Sequence, residues 1–443
     1  FFVTVTSLGE TMINMIFGRG RSKWMQWFII GQTFLILLVF RGFLFSEQTA
    51  LVAFSSLPSY QYDKSVWPES SSSLASKEME LMDKAFLELI TPSDKRIDVF
   101  EASVGLIWLK VPEIITIDTA SYQGVEGSFC PVDWTRQKKE PHTVPRYYNV
   151  YNGKTCNKHN MAEVVFDFAD LVKMTRRYDR LVGDKVNHLD TAGIIYHESR
   201  SGSTLAANML TVGYPETSRV YSEPTVLLRA MKSNNTDLVR DVLYMLGRTN
   251  NTKEKRVFYK LKSDAVRYIH TMPPEIPWIF MYRKPEEVVA SHFNPTETES
   301  TVCLMERKHP HPLLVEISKK FDNTKDTSKM TDENFCAARL ASLCLAAIRE
   351  HQRTGKGYFV NYNLMPEILW ETIVPQYFQV PITPTAISRM KNISQVYSKG
   401  KVDNTKEWNN NIKKKVTKKQ QKSAHKILTP YFVQMEKFAR QPR

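Results

Sequence analysis

Short apolar runs alternate with longer amphipathic stretches through the second half of this 443-residue chain. The runs are rich in β-branched and aromatic residues and predict strands, at residues 194–196, 219–221, 257–259, 278–282 and 358–360. The stretches between them have helical character, over residues 225–246, 286–292, 334–351 and 365–377. Strands separated by helices indicate a parallel sheet covered on both faces. The sequence therefore predicts an α/β protein, a three-layer α/β/α sandwich with a central parallel sheet.

A different pattern lies near the start of the chain. Residues 24–40 carry no charge, Arg41 interrupts them, and residues 42–45 are apolar again. This length is enough for a helix to cross a bilayer; basic residues lie just before it, and Glu47 is the first acid after it. The positive-inside rule then predicts a cytosolic tail (1–23), a single-pass signal anchor (24–45) and a luminal remainder in the secretory pathway. A cleaved signal peptide is the alternative.

The rest of the chain divides by composition. Residues 46–90 are Ser-rich and irregular, as in a stem, and end in an amphipathic stretch at 77–90. Residues 91–187 form an N-terminal luminal region with strand-like runs at 105–109 and 114–117 and a predicted helix at 161–174, and residues 188–443 form the main domain. Disulfide bonds fit the secretory pathway, between Cys130 and Cys156 and between Cys303 and either Cys336 or Cys344. Three glycosylation sequons fit it too, at Asn234, Asn250 and Asn392.

Charge narrows the choice of partner. The chain has 60 Lys and Arg against 46 Asp and Glu, a net charge of +14. Such an excess favours anionic partners such as a nucleotide, an acidic glycan or a membrane surface. A Lys-rich run at 413–426 is either a solvated helix face or a ligand-binding patch. No zinc-finger or helix-turn-helix spacing accompanies it, which argues against nucleic acid as a partner.

Residues 193–210, GIIYHESRSGSTLAANML, carry the strongest local signal. A β-branched strand runs into a turn of small residues, and a helix-forming stretch follows at once. This order aims backbone N–H groups and a helix N-terminus at one point, which favours a phosphate. The turn has no lysine of the GxxxxGK[ST] kind found in nucleotide triphosphatases. It consists instead of Arg200, Ser201, Gly202, Ser203 and Thr204. A strand-to-helix turn with a serine cap is the structural alternative.

This turn resembles the 5′-phosphosulfate loop of sulfotransferases, which reads [RK]-[ST]-G-[ST]-[ST]. A second segment, residues 278–292, resembles the 3′-phosphate-binding segment of the same family, with Arg283 at a strand end and Ser291 eight residues later. A guanidinium can hold a phosphate with two hydrogen bonds, and a hydroxyl can add a third. A strand-end arginine with a surface serine is the alternative for this pair.

Further segments extend the resemblance to about residues 190–430. Glu223 follows the turn by about twenty residues, where membrane-bound carbohydrate and tyrosylprotein sulfotransferases place a glutamate base. The family also has a strand lysine near the transferred group, for which Lys262 is preferred and Lys260 is the alternative. Residues 399 and 400, Lys399-Gly400, are similar to the family's nucleotide-covering segment, although Ser398 replaces its arginine and its second glycine is absent.

The resemblance implies a P-loop-like sulfotransferase fold and a 3′-phosphoadenosine 5′-phosphosulfate (PAPS) donor, without a metal. The acceptor is a hydroxyl on a glycan or secreted protein, deprotonated by Glu223, while Arg200 and Lys262 neutralise the charge that develops on the leaving oxygen. Two other functions stay open. One is a P-loop kinase, which needs a loop lysine and a magnesium-holding acid; the other is a membrane-anchored protein that binds a nucleotide or glycan without catalysis.

Overall fold

The computed structural model describes residues 83–84, 96–112, 122–151, 156, 165–293, 302–322, 326–398 and 416–440, all within one compact unit, Glu80–Arg443. The predicted tail and signal anchor, and nearly all of the stem, lie outside these residues. No helix in the described ranges has both the length and the apolar character to span a membrane.

The strands fall into three sheets. In chain order they are β1 Val104–Lys110, β2 Glu126–Pro131, β3 Val165–Asp167, β4 Asn187–His188, β5 Asp190–His197, β6 Ser218–Ser222, β7 Arg248–Thr249, β8 Arg256–Lys260, β9 Trp278–Tyr282 and β10 Tyr358–Asn361. A parallel five-stranded sheet has the order β10-β9-β5-β8-β6. The first of its strands in the chain, β5, is therefore central, and the later strands are added on both sides of it. The fold is α/β with a central parallel sheet, as predicted.

Helices cover both faces of this sheet. They are α1 Ile97–Phe100, α2 Thr135–Lys139, α3 Tyr147–Tyr151, α4 Phe168–Val182, α5 Ser203–Gly213, α6 Thr225–Lys232, α7 Thr236–Leu246, α8 Pro285–His292, α9 Pro312–Asp322, α10 Asp332–Thr354, α11 Pro384–Ser394, α12 Lys418–Ser423 and α13 Thr429–Ala439. A long 3₁₀ segment lies at Ser263–Thr271, and π-helical segments lie at Leu369–Tyr377 and Ala424–Leu428. Shorter 3₁₀ segments lie at Pro141–Thr143, Gly183–Lys185, Val302–Arg307, Thr327–Lys329 and Tyr362–Leu364.

Alternation along the strands explains the two layers. On β5, Ile194 and Tyr196 belong to the larger buried cluster, shared with α6, α7 and α10, whereas Ile195 belongs to a second cluster with α5 and α11. Successive side chains of a strand point to opposite faces, so an entirely apolar strand feeds two cores. All five residues of β9 are buried. Its predicted bounds and its observed bounds coincide for this reason.

The region before residue 188 joins the same larger core. A small antiparallel sheet, β1-β2-β3, packs against α6 and α7, and Phe100 and Leu106 are fully buried in the larger cluster. The guanidinium of Arg248 donates to the carbonyl oxygens of Val99 and Phe100, at 2.5 and 2.6 Å. These contacts tie the region before residue 188 to the central sheet and its helices.

Two element predictions were wrong. Residues 161–174 do not form one helix, because β3 pairs with β2 and the helix α4 begins only at Phe168, capped by Asp167. Residues 225–246 form two helices, since Asn234 has a left-handed φ of 59° and the side chain of Asn235 caps the second helix. The predicted disulfide Cys130–Cys156 is confirmed, and Cys303 pairs with Cys336 rather than with Cys344.

Candidate functional site

The carboxyl ends of the parallel strands meet at one edge of the sheet, and this edge holds most of the predicted site. In open α/β sheets such an edge binds ligands where the strand order reverses. Here the reversal lies at β5, which has β8 on one side and β9 on the other. The turn that follows β5 therefore has the ends of β8 and β9 as its neighbours.

The turn after β5 has an unusual backbone. Ser199, Arg200 and Gly202 have φ values of 77°, 54° and 84°, a left-handed conformation that non-glycine residues seldom adopt. Helix α5 begins directly afterwards at Ser203, so its first-turn N–H groups face the turn without helical partners. Glu223, with a φ of 56°, is another of the six non-glycine residues of the described chain that have a positive φ. Strained backbone of this kind concentrates at functional sites.

Gly202 is pressed against an aromatic ring. A Cβ placed on this glycine would lie 2.5 Å from the ring of Tyr362, the residue that follows β10. The guanidinium carbon of Arg283 lies 4.8 Å from the centre of the same ring. Tyr362 thus joins two segments that are eighty residues apart in the sequence, the turn and the end of β9.

Two further contacts fix the turn to the end of β9. The buried hydroxyl of Ser201 donates to the carbonyl oxygen of Met281 at 2.9 Å. The backbone N–H of Arg283 donates to a carboxyl oxygen of Glu198 at 2.5 Å. The Arg283 side chain is 28% exposed and pairs through Nε with Glu287, at 2.8 Å. Its remaining N–H groups can meet an anion beside the turn.

Ser291 lies further along α8. Its hydroxyl is buried and donates to the carbonyl oxygen of Val288, one turn earlier in the same helix, at 2.7 Å. At 1.5 Å per helical residue, it lies roughly 10 Å from the beginning of α8. Arg283 and Ser291 are therefore on consecutive elements, and each side chain has its own partner, Glu287 for Arg283 and the Val288 carbonyl oxygen for Ser291.

The second half of the edge is an ion-pair cluster. Glu223, immediately after β6, pairs with Lys260, the last residue of β8, and Arg146 Nε lies 3.5 Å from Glu223 Oε2. The Lys260 side chain is 1% exposed and that of Glu223 is 18% exposed. Burial alone raises the pKa of the Glu223 carboxyl, but the cationic partners, chiefly Lys260, outweigh burial and lower the pKa to about 2. Glu223 is ionised at neutral pH.

Arg146 was not among the predicted site residues. It comes from the region before residue 188, and the hydroxyl of Ser222 donates to the neighbouring Pro145 carbonyl at 2.8 Å, which holds Arg146 beside the end of β6. No local sequence motif predicts this contact, because it depends on the packing of two regions that are far apart in the sequence.

His197, the last residue of β5, lies between the two halves. Its Nδ1 accepts from the N–H of Ser199 at 3.0 Å, and its Nε2 lies 2.9 Å from the carbonyl oxygen of Leu261. Because Nδ1 is an acceptor here, Nε2 carries the proton and donates to Leu261. The imidazole thereby braces the turn against the segment that follows Lys260.

Glu198 is the buried carboxyl of this edge. Glu198 is only 1% exposed. Burial, only partly offset by Arg283 and Cys344, raises the pKa of its carboxyl to about 8. The Cys344 thiol lies 3.4 Å from its second oxygen. The sequence offered one signal for Glu198, an acid directly after a strand whose second half is buried, but the partner of Glu198 could not be predicted from the sequence.

The remaining predicted residues lie as follows. Lys262 precedes the 3₁₀ segment at Ser263–Thr271, two residues past the end of β8, whereas it is Lys260 that contacts Glu223. Lys399 and Gly400 lie outside the described residues. Just before them, the Ser398 carbonyl oxygen accepts from Asn208 of α5 at 3.0 Å. Ser203 and Thr204 are buried in the first turn of α5, and Arg200 is partly buried.

A cavity of about 530 Å³ lies elsewhere. Its walls include Trp134, Lys138, Arg219 and Glu254, and Arg219 is near the amino end of β6, the edge opposite the turn. Lys138 and Arg219 both pair with Glu254 at 2.6 Å, so these two cations share one carboxylate. Within the described ranges, no group of three or more His, Cys, Asp or Glu side chains is placed to hold a metal ion.

Two comparisons of the sequence with known proteins found no match. No protein-family model matches the chain, and no curated protein sequence matches it significantly. Its function is therefore inferred from the residues of this edge and from their motifs.

Proposed function

We propose that the chain is a PAPS-dependent sulfotransferase that transfers a sulfuryl group to an acceptor hydroxyl on a glycan or secreted protein. In this proposal the α/β domain has the P-loop-like fold of sulfotransferases and lies in the Golgi lumen, attached to the membrane by the anchor at 24–45. The enzyme's donor is an anionic nucleotide, in keeping with the net charge of +14.

One observation carries the proposal. The phosphate-type turn and Arg283, which resemble two separate motifs of one family, lie side by side at the ends of adjacent strands. Ser201 and Glu198 bond across to β9, and Tyr362 contacts both Gly202 and Arg283. A nucleotide with phosphates at its 5′ and 3′ positions needs two anion sites in one cleft. In this proposal the turn would form one site and Arg283 the other.

The residues of the turn suit the donor. The first-turn N–H groups of α5, with Ser201 to Thr204, would hold the 5′-phosphate, and the close approach of the backbone requires a glycine at position 202. Arg283 would hold the 3′-phosphate, with Ser291, Lys399 and Gly400 as further proposed contacts. The donor supplies the sulfuryl group and a phosphate leaving group. The chain has only to position the two reactants and to neutralise the charge that develops on the leaving oxygen.

Glu223 would accept the proton of the acceptor hydroxyl. A carboxyl with a pKa of about 2 is a weak base at neutral pH, so Lys260 must loosen its pairing before Glu223 can act. An anion bound at the turn attracts the same ammonium, which weakens the pair and strengthens the base. We therefore assign to Lys260, rather than Lys262, the task of neutralising the leaving oxygen together with Arg200.

The rival functions differ in what they require. A P-loop kinase shares this architecture, but the turn has Arg200 to Thr204 and no GKS or GKT lysine. A protein that binds a ligand without catalysis does not require a glutamate with a strained backbone beside a buried lysine. The paired Glu223 and Lys260 therefore favour an enzyme over a binding protein.

Calorimetry of the full-length protein tests the nucleotide site. Adenosine 3′,5′-bisphosphate should bind more tightly than ATP with magnesium. Arg283→Ala should weaken the bisphosphate by roughly tenfold to a hundredfold, the usual contribution of a charge-assisted hydrogen bond, and should leave adenosine 5′-monophosphate unaffected. Tighter binding of ATP with magnesium would indicate a kinase, and an equal loss for both adenosine phosphates would remove Arg283 from the 3′-phosphate site.

Catalysis is tested separately with radiolabelled PAPS and a pool of desulfated glycosaminoglycans. Glu223→Gln should keep bisphosphate affinity and lower the transfer rate by about 10²- to 10⁴-fold, the typical contribution of a general base. Glu275→Gln, at an exposed surface position, is the matched control and should transfer at the unaltered rate. A transfer rate unaffected by Glu223→Gln excludes Glu223 as the base.

A further inference from the structure

Glu198 has no part in the proposed proton or sulfuryl transfer, although it lies at the centre of the site. It is the first residue after β5, and its backbone N–H donates to the Met281 carbonyl oxygen at 3.1 Å. Its carboxyl group crosses to the same neighbour and accepts the N–H of Arg283 at 2.5 Å. Backbone and side chain of one residue thus tie the turn to the end of β9.

The carboxyl has few other partners. Its second oxygen faces the thiol of Cys344 on α10 at 3.4 Å, and the Tyr282 and Arg283 side chains face it from the end of β9. Burial raises the pKa of Tyr282 and of Cys344 above their ordinary values. Around neutral pH both are therefore neutral, and Arg283 is the cation of this group.

The protonation of Glu198 then affects what Arg283 can bind. A neutral carboxyl accepts the Arg283 N–H and adds no charge beneath the cleft. An ionised carboxylate would add a negative charge, compete for the guanidinium and repel a phosphate. Because the carboxyl is buried, the neutral form is favoured.

We propose that Glu198 is a positioning residue of the nucleotide site, which acts as a neutral acid that fixes the Arg283 backbone beside the turn and adds no second negative charge to that of Glu287 at the guanidinium. This inference rests on the proposed function, since it concerns the affinity of the same site for a nucleotide bisphosphate. Glu198 acts through Arg283 and does not touch the ligand.

Calorimetry with adenosine 3′,5′-bisphosphate at pH 7 and pH 9 tests this role in the full-length protein. Wild-type affinity should fall by about fivefold between these values, the change expected if binding raises the Glu198 pKa by about one unit from its value of about 8. Glu198→Gln keeps the acceptor oxygen and cannot ionise, so its affinity should match the wild type at pH 7 and stay level to pH 9. Glu198→Ala leaves the Arg283 N–H without its acceptor and should bind about tenfold more weakly at both values.

Two matched variants serve as controls. Cys344→Ser keeps a donor beside the carboxyl and should follow the wild-type pH profile, and so should Glu275→Gln at the surface. An unchanged pH profile in Glu198→Gln, or wild-type affinity in Glu198→Ala, overturns the inference alone. Failure of the wild type to bind the bisphosphate at pH 7 overturns the proposed function, and the inference with it.

Discussion

Two glutamates at the same edge of one sheet have opposite chemistry. Glu198 follows β5 and its pKa is raised to about 8, whereas Glu223 follows β6 and its pKa is lowered to about 2. Both lose solvent on folding, so burial does not separate them. The difference lies in their partners: Glu223 faces Lys260 and Arg146, and Glu198 faces a backbone N–H and a thiol.

Under the proposed function, the comparison explains how one edge would hold an anion and still provide a base. The half formed by β5 and β9 has an uncharged carboxyl beside its arginine, so Glu198 would not compete with a phosphate for the guanidinium. The half formed by β6 and β8 has a carboxylate whose cation would be drawn away by a bound anion. Environment, rather than residue type, divides the two tasks.

Breaking the ion pair should have the largest effect on stability. Glu223→Gln leaves the buried ammonium of Lys260 without its counter-charge, which typically costs about 3–5 kcal/mol. Lys260→Met should cost less, because Glu223 keeps Arg146 at 3.5 Å. The double variant should lose less than the sum of the two. Guanidinium unfolding of the full-length protein at pH 7 measures all three.

An exposed lysine–glutamate pair supplies the control for this cycle. Glu126 pairs with Lys110 at 3.0 Å with side chains 40% and 68% exposed, and Glu126→Gln should cost no more than about 1 kcal/mol. If Glu223→Gln costs as little as Glu126→Gln, Lys260 is not held by this pair and the contrast with Glu198 disappears.

The pH dependence of stability should separate the two glutamates next. The folded-state pKa of Glu198 is raised above its ordinary value of 4.5 to about 8, so the folded protein keeps a proton that the unfolded chain releases. Stability from this group is therefore complete below about pH 4.5 and declines as pH rises towards 8. Between pH 5.5 and 7.5 the wild type should lose about 3 kcal/mol relative to Glu198→Gln, measured by guanidinium unfolding at each pH.

Glu223 should give the opposite profile. Its folded-state pKa is lowered to about 2, so its stabilisation is present above the ordinary pKa and is lost only as the pH falls below about 4.5. The difference between wild type and Glu223→Gln should stay constant from pH 5.5 to 7.5. Parallel profiles for the two glutamine variants would show that the two carboxyls share one environment.

Much of this edge could be predicted from sequence because its strands are apolar on both faces. The bounds of β9 follow from five consecutive buried residues, and the positions of Arg283 and the turn follow from the rule that parallel strands end at one edge. The choice between Lys260 and Lys262 could not be made from the sequence for a related reason. Alternation places both lysines on one face of a strand, but the strand ends at Lys260, and alternation says nothing beyond that point.

The contacts of Glu198, Tyr362 and Arg146 could not be predicted. Each depends on which strands become neighbours, and the sequence does not state the order β10-β9-β5-β8-β6. Tyr362 reaches Gly202 only because β10 is added beyond β9 on the same side of β5. The break between α6 and α7 at Asn234 could not be predicted either. A single left-handed residue within a helical pattern does not disturb the hydrophobic periodicity of the sequence.

The smallest effect should come from Gly202, and it tests whether Tyr362 joins the turn to Arg283. Gly202→Ala places a Cβ 2.5 Å from the Tyr362 ring at a φ of 84°, whereas Gly355→Ala, at a φ of 67°, meets no atom within 4 Å. The left-handed backbone should cost about 1–2 kcal/mol in both variants, measured by guanidinium unfolding. Gly202→Ala should cost more than Gly355→Ala because the ring must move, and Tyr362→Ala in the same chain should remove that excess. Equal costs for the two alanine variants would mean that the ring does not rest on Gly202, and the contact that links the phosphate-type turn to Arg283 through Tyr362 would be lost.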